Sequence, residues 1–153
     1  MSTKIRRTEK SDLALIADLY QGRKNVEELD WVFKNPTKED EYNSFVAINE
    51  KNEIIGVIGY TRDSYIYRDR KFTGILPFNW LVSDKYRGII GIKLLQEVYK
   101  SGDFGFGLHG SESSFPLYKL VKLLYVSDFH ILVKVLNPIE YFQTLQKSYA
   151  KAN

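Results

Sequence analysis

The stretch from Phe78 to Tyr99 changes period half-way along. Phe78-Asn-Trp-Leu-Val82 is short, apolar and rich in strand-favouring residues. From Ile92 onward, Ile92, Leu95, Val98 and Tyr99 recur at helical spacing. Between them lies a basic turn, Lys85-Tyr-Arg-Gly-Ile-Ile-Gly91. A strand that feeds a helix through such a turn leaves amides unpaired at the positive end of the helix dipole. That end suits a phosphate group. Gly88 and Gly91 allow a ligand close to the backbone, and Arg87 adds charge. The same residues also fit a plain strand–turn–helix unit with no ligand.

The flanking chain supplies the rest of a domain. Thr3 to Thr8 reads as a charged edge strand. Ser11 is the expected N-cap of a first helix that carries Leu13, Ile16, Leu19 and Tyr20 and ends at Gly22. Asn25 and Glu28 form a capping pattern for a second helix, with Leu29, Val32 and Phe33 on one stripe. Ser44 to Asn49 and Ile54 to Arg62 predict a hairpin. Tyr65 to Arg70 fits a loop or a strand end. Phe72 to Val82 is the next strand, with Gly74 and Pro77 as points where it could break.

Phe104-Gly-Phe-Gly-Leu108 predicts a strand with one bare face. Either a ligand or a packed helix would lie on that face. A helix follows from near Ser114, with Leu117, Leu120, Val121 and Leu124 as its buried stripe. Tyr125 to Leu136 is a strand, and Asn137-Pro-Ile-Glu140 starts a last helix. The order is α+β: a mixed, mainly antiparallel central sheet flanked by helices. The expected division is a domain over residues 1–138 and a C-terminal helix over 139–153.

Composition narrows the chemistry. The chain of 153 residues has no cysteine, which excludes thiolate metal sites and a cysteine nucleophile, and its two histidines cannot make a His-only zinc site; mixed ligands stay open, but no metal site is expected. No apolar run of about 18 residues occurs, so no membrane span is expected. The N-terminus lacks the apolar core of a signal peptide, which makes the cytoplasm the expected location. A net charge of +3 suits an anionic ligand. The lysines are dispersed, so nucleic acid is not an expected partner.

Asn79-Trp-Leu-Val-Ser-Asp-Lys-Tyr-Arg-Gly-Ile-Ile-Gly-Ile-Lys-Leu-Leu95 resembles the acyl-CoA-binding motif of the GCN5-related N-acetyltransferases. Val82, Tyr86, Arg87, Gly88, Leu94 and Leu95 fall in register with the family pattern. Ile90 and Ile92 occupy its later small positions, with Gly91 between them. The order of elements is also the acetyltransferase order, so the resemblance spans roughly residues 3 to 136.

The resemblance implies an acyl-CoA N-acyltransferase fold and transfer of acetyl from acetyl-CoA to a small amine, such as an amino sugar or amino acid. It implies that Val82 sits at a strand bulge and, with Leu81, meets pantetheine. Arg87, Gly88, Ile89, Ile90, Gly91 and Ile92 would cradle the pyrophosphate, and Ser114 would also bind the cofactor. Leu117 and Tyr118 match the family's Leu-Tyr, which makes Tyr118 the expected general acid for the departing thiolate. Asn79, Trp80 and His109 are acceptor-side candidates. Trp31, Phe33, Tyr65, Tyr67 and Trp80 either line an acceptor pocket or fill the core. The general base is not identified. A homodimer is compatible with this reading. The alternative is a non-catalytic protein of the same fold that binds coenzyme A or a protein partner.

Overall fold

The computed structural model describes residues 3–107 and 115–121. The expected strand Tyr125–Leu136, the tail helix, the boundary at residue 138, and the candidates His109 and Ser114 lie outside them. The described chain runs β1 (Lys4–Arg7), α1 (Leu13–Leu19), α2 (Val26–Phe33), β2 (Ser44–Ile48), β3 (Ile54–Tyr67), β4 (Arg70–Val82), α3 (Ile89–Tyr99), β5 (Phe104–Gly105) and α4 (Phe115–Leu120). The strands form one sheet in the order β1-β2-β3-β4-β5. Every pairing is antiparallel except β4 with β5, which is parallel.

The sheet separates two cores. On one face Leu13, Ile16, Leu29 and Phe33 of α1 and α2 pack on Val46, Ile48 and Val57. On the other, Ile90, Leu94, Leu95 and Val98 of α3 pack on Phe45, Ala47, Ile55, Ile58, Ile75 and Val82. Spacings of three and four along α3 put those four residues on one stripe. The capping pattern predicted for α2 is present: the Glu28 amide donates to Asn25 Oδ1 at 2.8 Å.

Several expectations shift. The first helix is entered through a 3-10 turn, Lys10–Asp12, capped at Glu9 rather than at Ser11. The Glu9 amide donates to the Asp12 carboxylate at 2.8 Å. Of the two readings of Tyr65 to Arg70, the strand end holds: β3 and β4 continue as one long hairpin closed by Arg68 and Asp69, both left-handed (φ 47° and 62°). α3 starts at Ile89, not Ile92, so Ile90 and Gly91 belong to its first turn. In α4, Leu120 is 67% exposed and Tyr118 packs inward in its place, while Val121, just beyond the helix, packs on the core as expected.

β4 also runs unbroken through Gly74 and Pro77. Pro77 is paired with Tyr60, whose amide donates to Asn43 on the β2 side. The Tyr60–Pro77 pair is therefore of the non-hydrogen-bonded kind, and the missing proline N–H faces away from β3. No ladder bond to β3 is lost.

β1 is tied to the start of α1 by charge. Arg6 donates to both Asp12 oxygens, at 2.6 and 2.8 Å. Burial pushes the Asp12 carboxyl up, but the Arg6 guanidinium and the Glu9 amide outweigh it and hold it below its ordinary value. A carboxyl lowered on folding contributes stability above its unfolded pKa, and that contribution is lost as pH falls through the folded value. Asp12→Asn is expected to destabilise the fold by about 2 kcal/mol at neutral pH. The gap between wild type and variant should close as urea titrations move into acid below the ordinary carboxylate range.

Candidate active site

β4 carries one residue more than β3 between two rungs of their ladder. Gly59 pairs with Phe78 and Val57 pairs with Leu81. The extra residue is Asn79, at φ 46°. Asparagine is among the few side chains that tolerate this left-handed region. The bulge is therefore at Asn79, three residues before the Val82 expected to hold it; Val82 is in regular register with Gly56. The strand's apolar residues give no signal of where a bulge falls, because each can face a core; the polar Asn79 among them is the available cue. The bulge reverses the alternation. Phe78 and Leu81 face the α1/α2 core, whereas Trp80 and Val82 face α3.

The bulge is pinned from the α1 side. Tyr20, which caps α1, donates its hydroxyl to the Asn79 carbonyl at 3.0 Å. Burial pushes the Tyr20 phenol up to about 12. Asn79, an acceptor-side candidate by resemblance, thus has a conformational role that the sequence did not show.

The partner strand then leaves. β5 pairs with β4 only at Gly74 and Ile75, and the Phe106 amide makes a further bond to the Ile75 carbonyl at 3.0 Å. Among the described residues nothing pairs with that edge of β4 from Leu76 to Val82. The Ser83 amide donates to Ile55 on β3. By strand alternation the amides and carbonyls of Val82 and Trp80 point the other way, into the gap. Leu81 turns its backbone to β3 and its side chain to the α1/α2 core, so its expected contact with the gap is not made.

The gap leads to the first turn of α3. Gly88 caps that helix at φ 91° and ψ −102°, a conformation reserved for glycine. Its carbonyl accepts the first helical bond, from the Ile92 amide at 3.1 Å. The amides of Ile89, Ile90 and Gly91 open the helix and have no acceptor within it. Ile90 is turned into the core, Ile92 is half-buried and Ile89 is 70% exposed. The buried isoleucine therefore does not obstruct the amides. Arg87 lies beside them in an exposed ion pair with Asp84 at 2.6 Å.

Three polar-tipped rings close the α3 side of the gap. Trp80 lies against Gly91, where a methyl group would come within 3.0 Å of the indole. The Trp80 and Tyr118 ring centroids are 6.2 Å apart. Tyr99 covers Gly105 so closely that a Cβ there would be 2.1 Å from its ring. The packed-helix reading of that bare strand face is the correct one at Gly105. Tyr118 reaches toward Gly107, its hydroxyl 3.8 Å from the position a Cβ would take.

Trp80 Nε1 and the Tyr99 hydroxyl are buried without a hydrogen-bond partner among the described residues. Burial raises the Tyr99 phenol to about 12 and also raises Tyr118. Tyr99 read as an ordinary member of the α3 stripe. Its unpaired hydroxyl makes it a site residue that sequence spacing cannot distinguish from core.

Other candidates separate from this site. Phe33 is fully buried, and Trp31 is 81% exposed. A cleft of ≈ 380 Å³ lined by Lys4, Arg6, Asp12 and Ile48 lies at the β1 edge, and its strongest charges are already paired with each other. No group of three potential metal ligands occurs among the described residues. No helix among them is long and apolar enough to cross a membrane.

Several solved structures with a similar fold are acetyltransferases, and one of comparable similarity, from Bacillus halodurans, is described as a transcriptional regulator. Glucosamine-6-phosphate N-acetyltransferase from Arabidopsis thaliana is 20% identical, with a TM-score of 0.65 over 90% of this chain and 100% of that one. The aminoglycoside 6′-N-acetyltransferase of Acinetobacter baumannii is 11% identical, with a TM-score of 0.67 over 89% and 100%. A predicted acetyltransferase from Clostridium acetobutylicum, solved with acetyl-CoA, is 16% identical, with a TM-score of 0.64 over 86% and 96%. The chain has the fold of the GCN5-related N-acetyltransferases. No family model matches its sequence, and no curated protein does.

Tyr20→Phe removes the hydrogen bond that holds the bulge. It is expected to cost about 1 kcal/mol in urea unfolding. Amide exchange should quicken at Phe78 to Leu81 and stay unchanged in β1 and β2.

Proposed function

We propose that this chain is an acyl-CoA-dependent N-acetyltransferase that passes an acetyl group from acetyl-CoA to a small amine by direct attack. The observation that carries the reading is the outward-facing backbone of Trp80 and Val82 beside the open first turn of α3. Those strand groups suit the amides of pantetheine. The amides of Ile89, Ile90 and Gly91, with Arg87 nearby, suit its diphosphate. The buried, unpartnered Trp80 Nε1 and Tyr99 hydroxyl are donors that a ligand in the gap would satisfy.

Acetyl-CoA supplies an electrophilic thioester carbon. The acceptor nitrogen forms a bond to that carbon as the carbon–sulfur bond breaks, and the amine's surplus proton passes to water. The Tyr118 hydroxyl donates its proton to the departing sulfur and regains one from solvent. Burial raises the Tyr118 pKa, which keeps the phenol protonated and able to donate at neutral pH. Tyr99, beside it, lowers the exposure of the site to water. Location in the cytoplasm remains part of the proposal, and a homodimer stays compatible with it.

A non-catalytic coenzyme A binder is the second reading. It is favoured by the apolar Ile89, 70% exposed at the entrance to the amides. Tyr118→Phe decides between them. It is expected to lower thiol release by about 100-fold while leaving acetyl-CoA affinity by calorimetry unchanged. Because its pKa is raised, wild-type activity should not decline on the alkaline side until above the ordinary tyrosine value of about 10. An unaltered rate in the variant would remove Tyr118 from the mechanism, and no thiol release with any amine would favour the binder.

A further inference from the structure

The α1/α2 layer stops short of the far end of the sheet. Its last contact is the stack of Phe33 on Phe78, over Gly59, with centroids 6.1 Å apart. Beyond it the same face carries Thr61 opposite Leu76, Asp63 opposite Gly74, and Tyr65 opposite Phe72. The Tyr65 ring lies across Gly74, where a Cβ would come within 2.4 Å of it. It meets Phe104 and Phe106 edge-on, at 5.2 and 5.8 Å. Tyr65 and Phe104 nevertheless stay 38% and 40% exposed.

This cluster lies where β4 and β5 part. Gly74 pairs with Phe104, and the last bond between the strands is from Phe106 to Ile75. The α3 side of the gap is closed by Trp80, Tyr99 and Tyr118, so an acceptor reaches it from the open face. Asp63 lies on the rung of the cluster, and its carboxylate makes no hydrogen bond or ion pair with a described residue. The nearest cations on that face are outward at the hairpin tip: Arg70 opposite Tyr67, and Arg68 over the Tyr67 ring at 5.2 Å.

We propose that Tyr65, Phe104 and Phe106, with Asp63, form the acceptor subsite, and that it selects an amine carried on an aromatic or flat apolar body. The inference rests on the acetyltransferase reading above. The rings take the body of the molecule, and the carboxylate draws its ammonium toward the end of the gap. An amino sugar fits this face poorly. Among the described residues Thr61, Asp63 and the Tyr65 hydroxyl are its polar groups near the gap, few for a ring of hydroxyls that would lose water on binding.

The test uses the full chain with phenethylamine and glucosamine as probes. Phenethylamine is expected to shift the ring proton resonances of Tyr65, Phe104 and Phe106, and glucosamine is not. With acetyl-CoA, kcat/KM for phenethylamine should exceed that for glucosamine by at least about tenfold. Tyr65→Leu should raise KM for phenethylamine about tenfold, and Tyr65→Phe should restore it, with acetyl-CoA affinity unchanged in both. Absence of ring shifts with phenethylamine, or equal shifts with both probes, overturns the subsite even if acetyl-CoA binds and another amine is acetylated. Absence of acetyl-CoA binding, with the ring shifts present, instead overturns the enzyme reading alone.

Discussion

One inserted residue sets the geometry of the site. Asn79 adds a step to β4 that β3 does not match, and the Tyr20 hydroxyl holds that step from the far side of the sheet. The insertion moves Trp80 and Val82 onto the α3 face and turns their backbone groups away from β3. Without it, Phe78 and Trp80 would share a face, and the strand would meet α3 with the wrong residues. The left-handed conformation at Asn79 costs on the order of 1 kcal/mol, so it persists only because both cores and the Tyr20 bond over-determine it.

The gap and the helix start are coupled by packing. Trp80 lies on Gly91 in the first turn of α3, and Ile90 of the same turn is in the core with Val82. The strand edge and the open amides are therefore held at fixed relative positions by buried contacts rather than by a flexible loop. Gly88 completes the arrangement with a backbone angle that a side chain would strain. Such pre-set donors need little reorganisation when an anion arrives, which is the condition under which backbone amides bind tightly.

Much of this was legible in the sequence because it rests on periodicity and capping. The change of period at the basic turn located β4 and α3, and Asn25 with Glu28 located the start of α2. The hairpin of β2 and β3 followed from alternation. The bulge was misplaced because an apolar strand buried on both faces has no alternation to break. Pro77 was read as a breaker because its partner's bonding direction is a property of the sheet, not of the local sequence. Tyr20 and Tyr99 were hidden for a similar reason. Each is a stripe residue whose hydroxyl matters only through groups distant in the chain.

The central claim is that coenzyme A lies between β4 and β5 with its diphosphate on α3. Amide chemical shifts recorded on titration with coenzyme A test it most directly. The account predicts that Trp80, Val82, Ile89, Ile90 and Gly91 move together along one saturating curve, while Lys4 to Arg7 stay still. Shifts confined to the β1 edge, or none at saturating ligand, would contradict it.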